Sequence, residues 1–461
     1  MKENKTRREF LVMTAGAMLA SRAAFGMGGR RPEKTRPNIV VLFIDDLGYG
    51  DVGIYGAKDV PTPNIDKLAA EGTKFTNAYT ICPVCSPSRT ALMLGMYPQK
   101  FGMNGNNHRG HPIPEDHPTL AETLRDAGYF TGMVGRWDVG SIEQGPLERG
   151  FMEVARRSTL SSDDPRRALP NGPTYMQQDG AYWTEQQGKE MADFVTRHKD
   201  EKFFLYFAPL AIHYPVEEVP QKYIDRVPES VTDKQRRYLS AAMIAVDDAV
   251  GEVMRAIKES GIDENTLVFF TGDNGGKESE GSKNTPYRGG KVTPWEGAVR
   301  EPFIVRWKDT LPAGRVYDGM TSTLDIYATS AAVAATALPV RCDGVNLMPY
   351  LNGTKTGQPH DTLYWRWLDG KNIEAGHNVH AVRHGKWRLM RQETDTKWRL
   401  FDIEADPGET TNLADKYPDV VEKLSKMYKE WTGRLPEPLP YLRGPGGRCP
   451  GGKGWATPNN P

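Results

Sequence analysis

The sequence has no excess of charge of either sign. Lys and Arg together account for 59 of its 461 residues, Asp and Glu also account for 59, and the formal net charge is therefore zero. A chain without an overall basic field does not attract nucleic acid or an anionic membrane surface. We therefore expect no nucleic-acid partner. A local basic pocket for an anionic substrate stays compatible with this balance.

Cysteine is scarce, with four residues in the chain. Cys82 and Cys85 form a C-x-x-C pair, whereas Cys342 and Cys449 lie far away and alone. A zinc site would need a second pair at matching spacing, and a thioredoxin-like centre would need a small βαβ fold around the pair. Both interpretations are therefore disfavoured. A disulfide between Cys342 and Cys449 stays open, because the sequence does not decide it.

The apolar run near the amino terminus, residues 12–20, is too short to cross a bilayer comfortably and is followed by Arg22. It comes directly after the segment Thr6–Leu11, whose paired arginines are typical of a twin-arginine export motif. Small residues at 23–24 suit a cleavage point. We expect residues 1–28 to be a signal peptide, the protein to be periplasmic or secreted, and no stable membrane anchor to be present.

Continuous apolar runs predict strands that are buried on both faces. They cover Asn38–Ile44, Phe203–Phe207, Leu267–Thr271 and Phe303–Val305. Capping residues and apolar periodicity predict helices between them, at Thr62–Gly72, Thr119–Ala127 and Thr232–Gly261. Strands that alternate with helices indicate an α/β domain with a large mixed, mostly parallel sheet between helices. We expect this domain to cover residues 37–350.

The pattern of the sequence changes after residue 350: long apolar runs give way to short segments that carry several tryptophans. We expect a smaller α+β domain over residues 351–434, with an antiparallel sheet packed against a final helix. That helix presents Val420, Leu424 and Tyr428 on one face. Residues 435–461 are rich in Pro and Gly and are expected to be irregular.

Two acidic pairs follow predicted strands: Asp45-Asp46 and Asp273-Asn274. Because ligands of such sheets bind beyond the carboxyl ends of the strands, we expect both pairs at one edge. Their oxygen ligands suit a hard cation such as Ca²⁺ or Mg²⁺, and no histidine stands beside either pair in the sequence to favour zinc. Either pair alone would be typical of a turn or a helix cap.

The segment Cys85-Ser86-Pro87-Ser88-Arg89 resembles the signature of type I sulfatases, alkaline phosphatase-like hydrolases that remove sulfate from organic esters. The resemblance implies that a maturation enzyme oxidises Cys85 to formylglycine in the unfolded chain, before export. It implies that the formylglycine hydrate attacks sulfur and that its second hydroxyl lets sulfate leave. It also implies one bound Ca²⁺, with the ligands Asp45, Asp46, Asp273, Asn274 and an oxygen of the formylglycine at position 85.

Other motifs resemble the same family. Arg89 is implied to hold the formylglycine oxygens and the metal ligands. His213 matches a His-x-Pro segment and is implied to contact sulfate and to protonate the leaving oxygen, a role that suits a protonated histidine. Lys291, in an Arg-Gly-Gly-Lys segment, is implied to bind the sulfate as well.

One segment departs from the family pattern. Arg136 and Asp138 stand where relatives usually carry a lysine that contacts sulfate and a histidine that assists proton removal. Arg136 keeps the charge but has a planar fork instead of an ammonium group. Asp138 could act as a base, although its charge would repel sulfate. We expect a working variant, with an inactive or slow site as the alternative.

The expected function is hydrolysis of sulfate esters, with sulfated carbohydrates as the substrate. The alternatives are a phosphonate monoester or phosphodiester hydrolase of the same superfamily, and a non-catalytic protein that binds sulfated glycans. The sequence does not determine the sugar, the sulfate position or the oligomeric state. Side chains whose chemistry would suit a sugar pocket are Trp295, Trp365, Trp367, Arg366 and His108, although tryptophans in a small antiparallel domain are more often core.

Overall fold

The computed structural model describes residues 36–440 except 109, 142, 156–157, 159–167, 170–171, 174–181, 214–215, 217–218 and 369–377. The expected signal peptide, Cys449 and the tail from residue 441 onwards lie outside the described residues. Within the described part, no helix has the length and apolar character needed to cross a membrane. Cys342 carries a free thiol.

The strands are labelled here in chain order. They are β1 Asn38–Ile44, β2 Thr73–Phe75, β3 Ala78–Tyr79, β4 Phe130–Gly135, β5 Glu153–Val154, β6 Ala168–Leu169, β7 Gly172–Pro173, β8 Phe203–Ala208, β9 Thr266–Gly272, β10 Phe303–Trp307, β11 Arg315–Tyr317, β12 Thr321–Ser322, β13 Thr362–Trp367, β14 Val379–His384, β15 Trp387–Gln392 and β16 Arg399–Asp402. The α-helices are α1 Pro63–Ala70, α2 Cys85–Leu94, α3 Leu120–Asp126, α4 Trp183–Arg197, α5 Gln221–Ile224, α6 Lys234–Glu259, α7 Asp325–Val333, α8 Met348–Leu351 and α9 Pro418–Thr432.

The large sheet has the strand order β11-β2-β10-β9-β1-β8-β4-β5. Its pairs are parallel except where β10 runs antiparallel to β9 and to β2. The central strands β1, β8 and β9 are buried along their whole length, which explains their continuous apolar runs. The predicted mixed, mostly parallel sheet is therefore confirmed.

Helices cover both faces of this sheet. Alternate residues of β1 point to opposite sides, as the pleat requires. Val40 and Leu42 pack into a core with helices α1, α4 and α6. Ile39 and Val41 pack into a second core with helices α2, α3 and α7. This layering confirms the predicted sandwich of a sheet between helices.

The smaller sheet is antiparallel, with the order β13-β14-β15-β16. Helix α9 packs on one face, where Leu424 and Tyr428 meet Val382, Leu389 and Leu400. Residues of its other face share a core with Tyr79, Cys82 and Val299 of the larger domain. Residues from Pro37 onwards form one compact unit. The boundary at residue 350 therefore stays a prediction.

Helix α1 begins at Pro63 after Thr62, as predicted, but Thr62 does not cap it with its side chain. Thr62 Oγ1 instead accepts a hydrogen bond from Gly53 N and donates one to Asp66 Oδ1. Asp247 of helix α6 accepts from the amides of Asn64 and Ile65 at 2.8–3.2 Å. A carboxylate from another helix therefore does the capping.

Candidate active site

The two acidic pairs emerge side by side because β1 and β9 are adjacent and parallel, with Ile44 opposite Gly272. Asp46 N donates to Asp273 Oδ1 at 3.0 Å, and Asn274 Nδ2 donates to Asp46 Oδ1 at 2.9 Å. Asp46 has a left-handed backbone (φ 56°), which turns the chain at the end of the strand. All four side chains are buried.

Cys85 is the first residue of helix α2, and its Sγ lies 4.0 Å from Asp46 Oδ1. Arg89 follows one helical turn later, fully buried. Its Nε and Nη2 donate to Asp273 Oδ2 at 3.0 and 2.7 Å, and its Nη2 lies 3.3 Å from Asp45 Oδ2. The helix therefore brings Cys85 and a guanidinium to the acidic edge together.

Arg136 reaches the same edge from the end of β4. Gly135 before it has φ 108°, and a Cβ atom there would lie 2.1 Å from Ala208 O, so only glycine fits this approach of two strands. The Arg136 guanidinium pairs with both Asp45 and Asp138. Asp138 has φ 52° and accepts a hydrogen bond on its carbonyl oxygen from Ser86 Oγ at 3.0 Å.

Lys291 and His213 lie on the remaining side of Asp46. Lys291 Nζ is 2.6 and 2.7 Å from the two oxygens of Asp46, and His213 Nε2 is 3.9 Å from Asp46 Oδ2. The fold thus gathers every catalytic and metal-binding residue that the sequence suggested. It also corrects one argument: a histidine does stand beside the acidic residues in space, although none does in the sequence.

Burial shapes the electrostatics of the site. Burial raises the pKa of the Cys85 thiol to about 12, although Lys291 and Arg136 oppose this, so the thiol is protonated at neutral pH. Burial and the charge of Lys291 lower the pKa of His213 to about 4. A second buried cation is unfavourable beside Lys291, so the protonated form of His213 is disfavoured in the site without substrate, and its role toward sulfate stays a prediction.

Asp45 behaves in the opposite way. Burial alone would raise its pKa, but the nearby guanidinium groups of Arg136 and Arg89 hold the pKa of this carboxyl well below its usual range. Asp45 is therefore ionised at any physiological pH and available as a hard oxygen ligand.

The donor set fits a divalent cation. Ligand atoms of Asp45, Asp46, Cys85 and His213 all lie within 4.8 Å of one another. Among the described residues, no hydrogen-bond partner contacts the buried oxygens Asp45 Oδ1 and Asn274 Oδ1. Such orphaned buried acceptors are costly unless a ligand satisfies them.

Charge balance gives a second argument. If all four carboxylates around Cys85 are ionised, they outnumber the three described cations by one, and the site repels an anionic ester. Burial and the charge of Asp45 raise the pKa of Asp273 to about 7, so the protonation of Asp273 at neutral pH decides between a net charge of minus one and zero. A divalent cation would make the net charge positive in either case. The groups are Asp45, Asp46, Asp138 and Asp273 on the one hand, and Arg89, Arg136 and Lys291 on the other.

Glu301 is a neighbour of the site that the sequence did not suggest. It is fully buried, and neither of its carboxyl oxygens meets a hydrogen-bond partner within the described residues. Burial, followed by the charges of Asp273 and Asp46, raises its pKa well above the usual value. The neutral form of Glu301 is therefore favoured beside the acidic edge. It follows Arg300 and precedes Pro302 in a stretch with no distinguishing pattern.

The suggested sugar-pocket residues separate into two groups. Trp365 and Trp367 are buried at 1% and 2% exposure in the core between the sheets. His108 is also buried and accepts a hydrogen bond from Asn104 N. These three cannot form a pocket wall. Trp295 and Arg366 are half-buried.

Comparisons with known proteins agree with this geometry. Residues 37–336 match the family model described as Sulfatase, and residues 291–433 match the model described as N-sulphoglucosamine sulphohydrolase, C-terminal. The large mixed sheet and the smaller antiparallel sheet match the fold of solved sulfatase structures. The chain belongs to the sulfatase family.

Individual relatives match over most of their length. N-acetylgalactosamine-6-sulfatase of Canis lupus familiaris is 33% identical, with 93% of this chain and 92% of the relative covered. Arylsulfatase A of Homo sapiens is 32% identical, with 90% of each covered. The crystal structure of Ps i-CgsB in complex with k-i-k-neocarrahexaose has a TM-score of 0.78 and 30% identity, covering 87% of this chain and 94% of the other. The protein is thus a sulfatase, a hydrolase of sulfate esters.

Proposed function

We propose that this sulfatase acts on sulfated carbohydrates, with a formylglycine formed from Cys85 as the nucleophile and a bound Ca²⁺. The observation that carries the proposal is the position of Cys85 at the start of a helix, 4.0 Å from Asp46 and beside the other acidic residues. Two relatives support a carbohydrate substrate, since one is named for N-acetylgalactosamine and another is bound to a neocarrahexaose.

In the structure, Cys85 Sγ stands in for the formylglycine oxygens. The thiol itself is a poor nucleophile here, because its raised pKa keeps it protonated. Once formed by a maturation enzyme, the formylglycine hydrate would supply an oxygen nucleophile and a second hydroxyl that allows sulfate to be released. Arg89 pairs with Asp45 and Asp273 one helical turn after position 85, so it would hold these carboxylates beside the nucleophile.

Asp45, Asp46, Asp273 and Asn274 would hold the metal, with oxygens that suit Ca²⁺. The ion would supply positive charge for the sulfate group and for the oxygens that become charged during the reaction. The ion pairs with Arg136 and Lys291 orient the carboxylates of Asp45 and Asp46 for the metal.

Lys291 and His213 would contact the substrate. Lys291 Nζ lies at the edge of the buried cluster and is placed to bind a sulfate oxygen. His213 is neutral without substrate, and the negative charge of a bound sulfate would raise its pKa. His213 Nε2 could then donate a proton to the leaving oxygen, which satisfies the requirement for a general acid.

Arg136 and Asp138 favour a working site over an inactive one. The carboxylate of Asp138 is paired with the guanidinium of Arg136, so its repulsion of sulfate is offset locally. Arg136 also binds Asp45, and it therefore orients a metal ligand. The pair is neutral as a whole, so it adds no net repulsion of sulfate, although it supplies one positive charge fewer than a lysine beside a neutral histidine.

The test is mass spectrometry of the peptide that contains Cys85, combined with a sulfate-release assay. We expect a mass loss that matches conversion of the thiol to an aldehyde in natively produced protein, and loss of activity in Cys85→Ala. An intact thiol in active protein, or full activity of Cys85→Ala, would overturn the mechanism. Ser86→Ala is a useful control, because it keeps the reacting position.

A substrate panel separates the alternatives. We expect turnover of sulfate esters of sugars at a kcat/KM well above that of phosphodiesters or phosphonate monoesters. The reverse preference would identify the other hydrolase class. Binding of a sulfated glycan without any release of sulfate would identify the non-catalytic alternative.

The export route belongs to the same proposal. The paired arginines at 7–8 support twin-arginine export of a folded, already modified protein to the periplasm or beyond. Fusion of residues 1–28 to a reporter, with and without Arg7→Lys and Arg8→Lys, would test this. Export that does not depend on the arginines would contradict it.

A further inference from the structure

The loop that carries Lys291 has internal hydrogen bonds, among them Gly297 N to Arg288 O at 2.9 Å and Thr293 Oγ1 to Gly290 O at 2.6 Å, and it is also bound from outside. This Lys291 loop, residues 288–298, contains one short helical turn, Glu296–Ala298, and is otherwise irregular. Lys291 N donates to Gly276 O and Val292 N donates to Pro83 O, both at 3.1 Å. These bonds fix one end of the loop to the acidic edge and to the segment that leads into Cys85.

The other end of the loop is held from the smaller sheet. Glu409, in the connection between β16 and α9, accepts a hydrogen bond on Oε2 from Glu296 N at 2.7 Å. Its carbonyl oxygen accepts from Arg288 Nη1 at 3.2 Å. Arg388 of β15 donates from Nη2 to Pro294 O at 2.6 Å. Arg388 of the smaller sheet and Glu409 of the connection after it therefore bind the loop backbone on both sides of Trp295.

Arg388 and Glu409 are buried and paired with each other. Arg388 Nε also lies 3.2 Å from Glu296 Oε2, while Glu296 Oε1 accepts from Tyr79 and lies 3.1 Å from Arg300 Nη1. A buried ionic network is rigid only while every member is paired, because an unpaired buried charge is costly. The network therefore fixes its members in one arrangement.

The backbone geometry of Glu409 also indicates that this residue is held in one arrangement. Glu409 has φ 49°, a left-handed backbone conformation that is unfavourable for residues other than glycine. Such a conformation persists where surrounding contacts impose it. Here it directs the carboxylate inward to Glu296 and Arg388, and the carbonyl oxygen to Arg288.

We propose that Arg388 and Glu409 are positioning residues for Lys291. Through the backbone of Pro294 and Glu296 they hold the Lys291 loop against the acidic edge, so the smaller sheet sets the place of the sulfate-binding ammonium. The inference rests on the proposed function in one respect, the role of Lys291 in binding sulfate.

The experiment compares the full-length mature protein with Glu409→Ala, Glu409→Gln and Leu424→Ala. Hydrogen exchange followed by mass spectrometry reports the mobility of residues 288–298 without any need for activity. We expect exchange in this loop to be about tenfold faster in Glu409→Ala, because a buried charged hydrogen bond is lost. Glu409→Gln keeps an acceptor for Glu296 N and should show a smaller effect.

Kinetics supply the second readout. If Lys291 binds the sulfate group in the ground state, Glu409→Ala should raise KM for a sulfate ester by roughly tenfold, with a smaller change in kcat. Leu424 is buried between α9 and the smaller sheet, and Leu424→Ala weakens the same part of the molecule without touching the loop. This control should leave loop exchange and KM near wild type.

Two results would overturn the inference. One is unchanged loop exchange in Glu409→Ala, and the other is the same faster exchange and higher KM in Leu424→Ala. Faster loop exchange in Glu409→Ala, in a protein that releases no sulfate from any ester, would support the positioning of the loop and contradict the proposed function instead.

Discussion

At the scale of single residues, Arg136 and Asp138 define what is particular about this site. Their pair replaces a lysine and a histidine of the family pattern, and both members are buried. Because Arg136 also binds Asp45, the pair is a structural part of the acidic edge as well as a source of charge.

A double-mutant cycle tests this coupling. Arg136→Met should destabilise the protein by about 3–5 kcal/mol, because it removes the buried guanidinium that pairs with both Asp45 and Asp138. Asp138→Asn should cost less, because Arg136 keeps its ion pair with Asp45. The double variant should lose less free energy of unfolding than the two single losses added together, by at least ~1 kcal/mol. Urea unfolding measures all three, and strictly additive losses would show that the pair does not act as a unit.

Calcium binding is a second prediction at the residue scale. Ca²⁺ at about 100 times its Kd should stabilise the native protein by about 2.7 kcal/mol, because it binds the folded state alone. Asn274→Leu removes one orphaned oxygen and should reduce the shift in Tm between Ca²⁺ and chelator. Asp247→Asn, a buried acidic position outside the acidic edge, is the matched control. A wild-type Tm indifferent to Ca²⁺ would count against the metal site.

At the scale of elements, the capping of helix α1 by Asp247 joins two helices that are far apart in the chain. Asp247→Ala leaves the amides of Asn64 and Ile65 without their acceptor and should cost about 1–3 kcal/mol. The neighbouring Asp248 pairs with Arg226 near the surface, and Asp248→Ala should cost less than about 1 kcal/mol. Urea unfolding compares the two, and equal losses would refute the capping role.

At the scale of the whole molecule, His360 connects the smaller sheet with the larger domain. It lies just before β13, the first strand of the smaller sheet, and contacts helix α7 of the larger domain. Its Nε2 lies 2.7 Å from Asp325 Oδ1 at the start of α7. Burial lowers the pKa of His360, but Asp325 raises it more, so the net shift is upward. The stability that this shift provides is complete below the unfolded pKa of about 6.5 and is lost as the pH rises through the folded pKa.

The advantage of wild type over His360→Gln should therefore be largest near pH ~6 and shrink as the pH increases. Urea midpoints across this range measure it. Gln358→Ala, two residues away and without a titratable side chain, is the control and should show no such trend. An advantage that grows with pH would contradict the assigned direction.

Much of the fold could be predicted because β1, β8, β9 and β10 are buried on both faces and read as continuous apolar runs. Strand β4 escaped prediction because glycines interrupt it. Tertiary packing explains them: a Cβ atom at Gly132 would lie 2.2 Å from the Phe194 ring. The glycines of β4 are needed because other elements pack closely against them. The periodicity of the sequence does not show such close packing.

By itself, the sequence determined which residues form the site and which strand ends carry them, because motifs and apolar runs are local patterns. Only the tertiary structure decided the partners. Arg136 meets Asp45, burial and Lys291 lower the pKa of His213, and Glu409 binds the Lys291 loop from the connection between β16 and α9. The physical reason is that ion pairs and desolvation depend on distances in space, and here those distances are set by strand register and helix packing across the molecule.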